Sequence, residues 1–578
     1  MTVYYVSADG GSDVNDGSLN TPFKTIQSAS NIAQPGDTIL VQPGIYRERV
    51  APPRGGTSAQ PIVYRAQGPN TIIRGSIPWY PKQKYNNTIY WDTLDTELFT
   101  DTTHVDGPNP FRVPFSVTPY GRNGAPEFVN GDKTADRNMV YNLGQVFVND
   151  IMYVQCPYIT EMKPNTWFYD MSNNRLYVYL EQNVENCQIE ITNQRRLFAP
   201  HTRQLRYIVV DGFVMERCGN NYPNKFWNVQ QNQQAGLLGT RSGRYWTIQN
   251  NTIRYATGVG IDWGNEGGAA QDIETGANGQ ASGSSGHVIQ NNIICDNGAA
   301  GTASFMGKNF MFANNVVERN NNLLFYGKQR WESAGIKIHT PTNSTIIGNM
   351  VRNNYCNGIW ADQGAGQNSI FKNNIITNNK GNGINFEIGT NTTGKVLNNI
   401  FDDNDYNVAF ATSGGCLIAH NLFLSARKGD IYTYTFNRPD KWDSLNVEIY
   451  YNLFMTSPIY MQLTAPDALS SRVMNYNQYA SDISGRFIFM QDSKTMVAKS
   501  PANWATTWGS DEGSVVVAGA TGEIKADTVF LNITPQKFPA VSRPDITDDF
   551  FGQRWATDVC VAGPFGNLID GFSARIIR

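Results

Sequence analysis

From about residue 205 to 455 the chain alternates short apolar runs with asparagine, and one phrase keeps returning. It reads Asn250-Asn251-Thr252-Ile253, Asn291-Asn292-Ile293-Ile294, Asn314-Asn315-Val316-Val317, Asn349-Met350-Val351, Asn373-Asn374-Ile375-Ile376, Asn398-Asn399-Ile400-Phe401, Asn421-Leu422-Phe423 and Asn452-Leu453-Phe454. Successive last asparagines lie 41, 23, 34, 25, 25, 22 and 31 residues apart. A period of 22 to 25 residues with insertions marks a solenoid. β-Branched residues with Gly/Asn punctuation, and no 3.6-residue period, argue against helical repeats. The pattern predicts an all-β fold, a right-handed parallel β-helix over 201–460. One coil cannot bury its apolar side alone, so stacked coils share a core of Ile, Val, Leu and Phe. Asparagine tolerates the left-handed turn and can ladder its amide from coil to coil.

Upstream, Asp37 to Val50 alternates like strands broken at Gly44, and Phe23, Ile26 and Ile32 recur at near-helical spacing. Residues 1–75 are therefore read as the first coils with an N-terminal capping helix that plugs the open end. Residues 76–200 lose the coil period. Gln145 to Val154, Trp167-Phe168-Tyr169 and Leu176 to Tyr179, with a turn at Ser172, instead suggest an inserted antiparallel, β-sandwich-like domain. Residues 461–578 are mixed, and are read as late coils or a cap.

Composition narrows the partners. With 46 basic and 49 acidic residues the net charge is −3, and no global field attracts nucleic acid or an anionic membrane. No run of 18 apolar residues occurs. Aromatics reach 12%, which suits flat sheets and equally the stacking of sugar rings. Seven cysteines stand singly, without CxxC, and read as buried thiols. Met1 leads directly into strand-like sequence without a basic-then-apolar leader, so the expected location is cytoplasmic or on a virion. A homo-oligomer is expected.

A second phrase lines up in three neighbouring coils: Gly335-Ile336-Lys337-Ile338-His339, Gly358-Ile359-Trp360-Ala361-Asp362 and Gly383-Ile384-Asn385-Phe386-Glu387. Strand alternation puts Lys337, Trp360 and Asn385 on one face with His339, Asp362 and Glu387, and turns the aliphatic residues to the core. Adjacent coils lie about 4.8 Å apart, which sets the Asp362 and Glu387 carboxylates roughly 5 to 6 Å apart. Two such groups resist losing both protons, so one carboxyl is expected to be raised in pKa. That pairing suits retaining glycoside hydrolysis, with one carboxylate as nucleophile and the other as acid. The alternative is a solvated acidic stripe or a calcium site. Three features favour chemistry over the stripe. Trp360 offers a ring between the polar Lys337 and Asn385; an insertion at 325–334, carrying Glu332, is placed to fold over the column; and His339 stands beside the carboxylates. Asp262, in the related Gly260-Ile261-Asp262-Trp263, lines the same groove or closes a turn.

On these residues the chain resembles glycoside hydrolase family 120, the β-xylosidases with an inserted β-sandwich. The resemblance is carried by Trp331-Glu332 through His339, Ile359 to Asp362 and Asn385 to Glu387, and weakly by the N-terminal Thr21-Pro22-Phe23-Lys24-Thr25-Ile26 and Gly44-Ile45-Tyr46-Arg47-Glu48. It implies Asp362 as nucleophile and Glu387 as acid/base, with Glu332, Lys337, His339 and Trp360 at pocket positions. The implied substrate is a β-xyloside or related oligosaccharide, with no cofactor and no catalytic metal. Two other functions stay open. One is a phage tailspike gripping or cutting a host polysaccharide, which would form a stable trimer. The other is a polysaccharide lyase, which would need calcium or a Lys/Arg pair to acidify a uronate.

Overall fold

The structure, a computed structural model, describes residues 1–576 apart from 101–106, 116–140, 222–235, 266–284, 324–331, 364–366, 390–392, 435–446, 465–472, 482–485, 492–493, 499–500, 509 and 541–545. The chain divides into two compact units, Met1–Ser304 with Arg319–Ser333, and Phe305–Glu318 with Ala334–Arg578. Both are built from coils of a right-handed parallel β-helix.

In the first unit, Val3–Val6, Thr38–Val41, Ile62–Ala66, Ile208–Asp211, Thr247–Gln249 and Val288–Gln290 pair in parallel as one face. Gly44–Tyr46, Thr71–Arg74, Val214–Cys218, Thr252–Ala256 and Ile293–Cys295 form a second. Helix α1 (Ile26–Ile32) starts at Thr25, whose side chain accepts from the Ser28 N–H. It packs on the first two strands and buries Ile26, Ala29 and Ser30. An eight-stranded, mostly antiparallel sheet is inserted between Ser76–Pro78 and Ile189–Thr192, around a core that includes Phe111, Trp167 and Leu176. A charged network ties it to the coils. Glu190 on its Ile189–Thr192 strand takes Arg47 at 2.7 Å and Arg217 at 2.7 Å, while the fully buried Glu216 takes Arg74 and Arg254 at 2.6 Å each.

In the second unit, Met311–Ala313, Thr345–Ile347, Ile370–Lys372, Gly394–Leu397, Cys416–Ala419, Glu448–Tyr450 and Val473–Asn475 make one parallel face. Another runs from Val316–Glu318 to Val515–Val516. The third carries β1 (Ala334–His339), β2 (Asn357–Asp362), β3 (Ile384–Gly389), β4 (Asn404–Ser413), β5 (Ala426–Tyr434) and β6 (Met461–Thr464), in that spatial order. Beyond residue 461 the coils continue through Gln478–Tyr479. The chain then folds back as a three-stranded antiparallel sheet whose Val529, Leu531 and Phe572 pack on Leu424, Leu453 and Met455. All seven cysteines are buried and free.

Where the phrase opens on two asparagines, their roles are separated, and elsewhere Gly348, His420 or Tyr451 takes the first position. The first residue makes the left-handed turn, as at Asn314, Asn373 and Asn398 with φ of 55°, 57° and 53°. The second points inward and donates its amide to its counterpart on the next coil. The steps Asn315 to Asn349, Asn374, Asn399, Asn421, Asn452 and Asn477 are 3.1, 3.0, 2.9, 3.0, 3.0 and 3.1 Å. A second ladder, from Asn354 through Asn379 and Asn404 to Asn407, runs at the next bend of the coil. Each ladder ends on a buried aspartate. Asn477 donates to Asp511 at 3.1 Å and Asn407 to Asp430 at 2.6 Å.

Burial pushes the Asp430 carboxyl up to about 7 and the Asp511 carboxyl up to about 6, against the opposing hydrogen bonds. A folded-state value above the ordinary 3.8 means that folding favours the protonated form. The stabilisation is complete below about pH 4 and is lost as pH rises through about 7. Asp430→Asn, neutral at every pH, is expected to be less stable relative to wild type at pH 4.5 than at pH 7.5. Urea unfolding at both values checks this, and a pH-independent difference would refute it.

Candidate active site

β1, β2 and β3 stand in register, residue on residue. Lys337 pairs with Trp360 and Trp360 with Asn385; His339 pairs with Asp362 and Asp362 with Glu387. Ile336, Ile338, Ile359, Ala361, Ile384 and Phe386 are at most 1% exposed and form the core side. The opposite face is not a solvated stripe. Lys337 is fully buried, His339, Asp362 and Asn385 are nearly so, and Trp360 and Glu387 are half-buried.

Asp362 organises the column. Its Oδ2 receives the Lys337 ammonium at 2.9 Å and lies 3.1 Å from His339 Nε2. Its Oδ1 is buried and takes no hydrogen bond among the described residues. Burial alone would raise its pKa, but the charge of Lys337 and then His339 outweighs that effect and holds the carboxyl well below the usual range. A charge clash with Glu387 therefore does not leave Asp362 protonated, because the preceding coil supplies the compensating cation. The same ammonium sits 3.3 Å from the centroid of the Trp360 ring, a cation–π contact. Trp360 Nε1 is buried and has no partner among the described residues. Asn385 is oriented by Asn382, whose amide donates to its Oδ1 at 3.0 Å.

Backbone strain gathers where the column ends. The residue after each fifth position is left-handed: Thr340 after His339 (φ 51°), Gln363 after Asp362 (φ 49°) and Ile388 after Glu387 (φ 52°). β-Branched residues rarely adopt this conformation, at a cost of roughly 1–3 kcal/mol each. The turned N–H groups bind the neighbouring coil: Thr340 N–H donates to the Asp362 carbonyl and Gln363 N–H to that of Glu387, both at 2.8 Å. The two carboxylate-bearing residues are thus pinned by their own main chains.

Asp262 and Glu332 lie in the other unit. Asp262 is buried at the end of Val259–Asp262, and its Oδ1 accepts the Gly264 N–H at 3.0 Å, which closes a turn. Glu332 is buried with a left-handed φ of 65°. Most of the insertion expected to cover the column, 324–331, falls outside the described residues. Asp362 and His339 are metal-ligating side-chain types, yet the ammonium on Oδ2 already supplies positive charge there and repels a cation at that oxygen. Two coils beyond Glu387, Tyr432 and Tyr434 stand at the register positions of Asn385 and Glu387 without sharing their recurrent phrase. Their strand lacks the Gly-Ile opening, and only the alternation Ile431-Tyr432-Thr433-Tyr434 could have flagged them.

A family model described as a right-handed beta helix region matches residues 235–423, and one for a protein of unknown function, DUF1565, matches 9–51. The uncharacterized protein YwoF of Bacillus subtilis (strain 168) is 38% identical over 72 residues, which is 12% of this chain and 15% of that protein's length. Among solved structures, XylC in complex with xylose aligns with a TM-score of 0.75 at 18% identity, covering 99% of this chain and 100% of that one. A chain described as a glycoside hydrolase aligns at a TM-score of 0.48 and 10% identity, covering 75% of this chain and 96% of the other. The XylC likeness establishes a shared fold along both whole chains.

Removing one member of the Lys337–Asp362 pair strands the other in a buried site. Lys337→Met is expected to lower stability by about 3–5 kcal/mol, much of it recovered by Lys337→Met with Asp362→Leu. Chemical unfolding of the wild type and of the single and double variants measures both effects. Equal stability of the single variant and wild type would contradict the pairing.

Proposed function

We propose that the protein is a carbohydrate-active enzyme, a retaining glycoside hydrolase that cleaves a β-xyloside or a related oligosaccharide. The observation that carries this reading is the state of Asp362: ionised, held through one oxygen by Lys337 and His339, with the other oxygen unengaged. A nucleophile needs that asymmetry, because it must keep its charge while leaving an oxygen open to attack carbon. Glu387 follows at the same position of the next coil, about 4.8 Å along the solenoid, near the roughly 5 Å carboxyl spacing of retaining enzymes.

In the first step Asp362 Oδ1 bonds to the anomeric carbon, the glycosidic C–O bond breaks, and Glu387 gives its proton to the departing oxygen. In the second, Glu387 takes a proton from water. The resulting hydroxide attacks the anomeric carbon, and Asp362 leaves as a carboxylate. Lys337 and His339 keep the charge of Asp362 in place before and after each step. Trp360 supplies a ring face and an indole N–H for a sugar hydroxyl, and Asn385 a further polar contact. The likeness to XylC, which was solved with xylose, adds support to a pentose as the glycone. A lyase reading fits less well, because Lys337, the cation nearest the carboxylates, is committed to Asp362 and sealed from solvent.

A panel of aryl β-glycosides, followed by NMR of the first-formed anomer, tests substrate and stereochemistry together. Release of β-xylose first is expected, and α-xylose first would sink the retaining mechanism. Asp362→Asn is expected to lose about 10⁴-fold or more in turnover. Glu387→Gln should lose least on substrates whose leaving group needs no proton.

A further inference from the structure

The hydrolase reading fixes two carboxylates but leaves open which way the substrate lies along the solenoid, and β4 and β5 supply a direction. Asn385 and Glu387 on β3 pair with Ala409 and Ala411 on β4, and these pair with Tyr432 and Tyr434 on β5. Directly between Asn385 and Glu387 on one side and the two tyrosines on the other, the intervening coil carries only the methyl groups of Ala409 and Ala411, while its Tyr406 lies further back along β4. Tyr432 and Tyr434 are half-buried and stack at 4.9 Å between centroids, and Tyr406 extends the stack with a centroid 4.2 Å from Tyr432. Burial, and then the charge of Glu387, push the Tyr434 hydroxyl above its ordinary value, so it remains a proton donor at any working pH. Lys428 lies 5.8 Å from the centroid of the Tyr406 ring.

In a retaining mechanism the acid stands on the leaving-group side of the scissile bond, and the nucleophile beneath the sugar that becomes covalently held. Asp362 precedes Glu387 by one coil, with Lys337, His339 and Trp360 on that side; the tyrosines follow Glu387. Resting on the hydrolase reading, we infer that Tyr432 and Tyr434 form the binding wall for the leaving-group sugar. The glycan lies along the solenoid axis with its non-reducing residue toward β1 and its leaving residue toward β5. The wall selects a sugar as leaving group by ring stacking and by the Tyr434 hydroxyl, and takes no part in bond breaking.

The test compares xylobiose, whose leaving group is a sugar, with β-xylosyl fluoride, whose leaving group is a single atom. Tyr432→Ala is expected to lower kcat/KM on xylobiose by about tenfold, mostly through KM, and on the fluoride by less than about twofold. Tyr434→Leu, which keeps bulk and strand propensity but removes the flat ring and hydroxyl, gives the same contrast where the alanine variant does not fold. Tyr432→Phe retains the ring and should restore xylobiose turnover. Equal losses on both substrates, or none on either, would overturn the wall while leaving the hydrolase reading standing. A wild-type protein that cleaves neither substrate would overturn both.

Discussion

Everything about the site depends on the buried asparagine amides that lock one coil to the next. Each ladder amide is surrounded by core and finds its partners on adjacent coils: the Asn374 amide donates back to the Ile346 carbonyl and forward to Asn399. A slip of one residue in any coil would turn the amide out of line and leave buried donors unmet, at about 1–3 kcal/mol per group. It would also exchange the core and outer faces of three strands at once. The ladders therefore hold the register that sets Asp362 beside Glu387, although no ladder residue touches either carboxylate in the contacts described.

The register alone does not make the pair chemically useful. Two carboxylates on neighbouring coils differ in character here because the coil before them carries Lys337 and His339, so the charge balance is spread over three successive turns of chain. The left-handed residues that follow His339, Asp362 and Glu387 add a second kind of constraint, fixing main chain where the ladders fix the coil. Strain at Thr340 and Ile388 is tolerated because ladders and core over-determine the surrounding backbone.

Much of this was legible in the sequence, for a definite reason. A coil has a nearly constant length, so Asn-Asn-aliphatic and Gly-Ile-x-x-acid phrases repeat visibly, and strand alternation assigns faces without a structure. What escaped depends on neighbours in space. The expectation that one carboxyl of the pair is raised does not say which, and it is the cations one coil earlier that hold Asp362 low. The second ladder escaped because Asn354, Asn379 and Asn404 are set among varied neighbours rather than before a constant aliphatic pair. Asp430 and Asp511 resemble surface aspartates until their burial is known. The segment after 461 mixes late coils with a folded-back antiparallel sheet, and composition could not separate the two.

The amide ladders also have a direction. Every rung in the long series offers its forward hydrogen, through both the side-chain amide and the main-chain N–H, to the asparagine that comes later in the sequence. The forward donors of each coil are thus met only by the coil that follows it, so every turn completes the hydrogen bonding of the one before. Such a chain of donors closes cleanly only on a group that accepts and need not donate onward. The long series closes in this way on Asp511, and the second ladder on Asp430 while the coils run on past it to Gln478–Tyr479, so an acceptor aspartate ends a ladder without ending the solenoid.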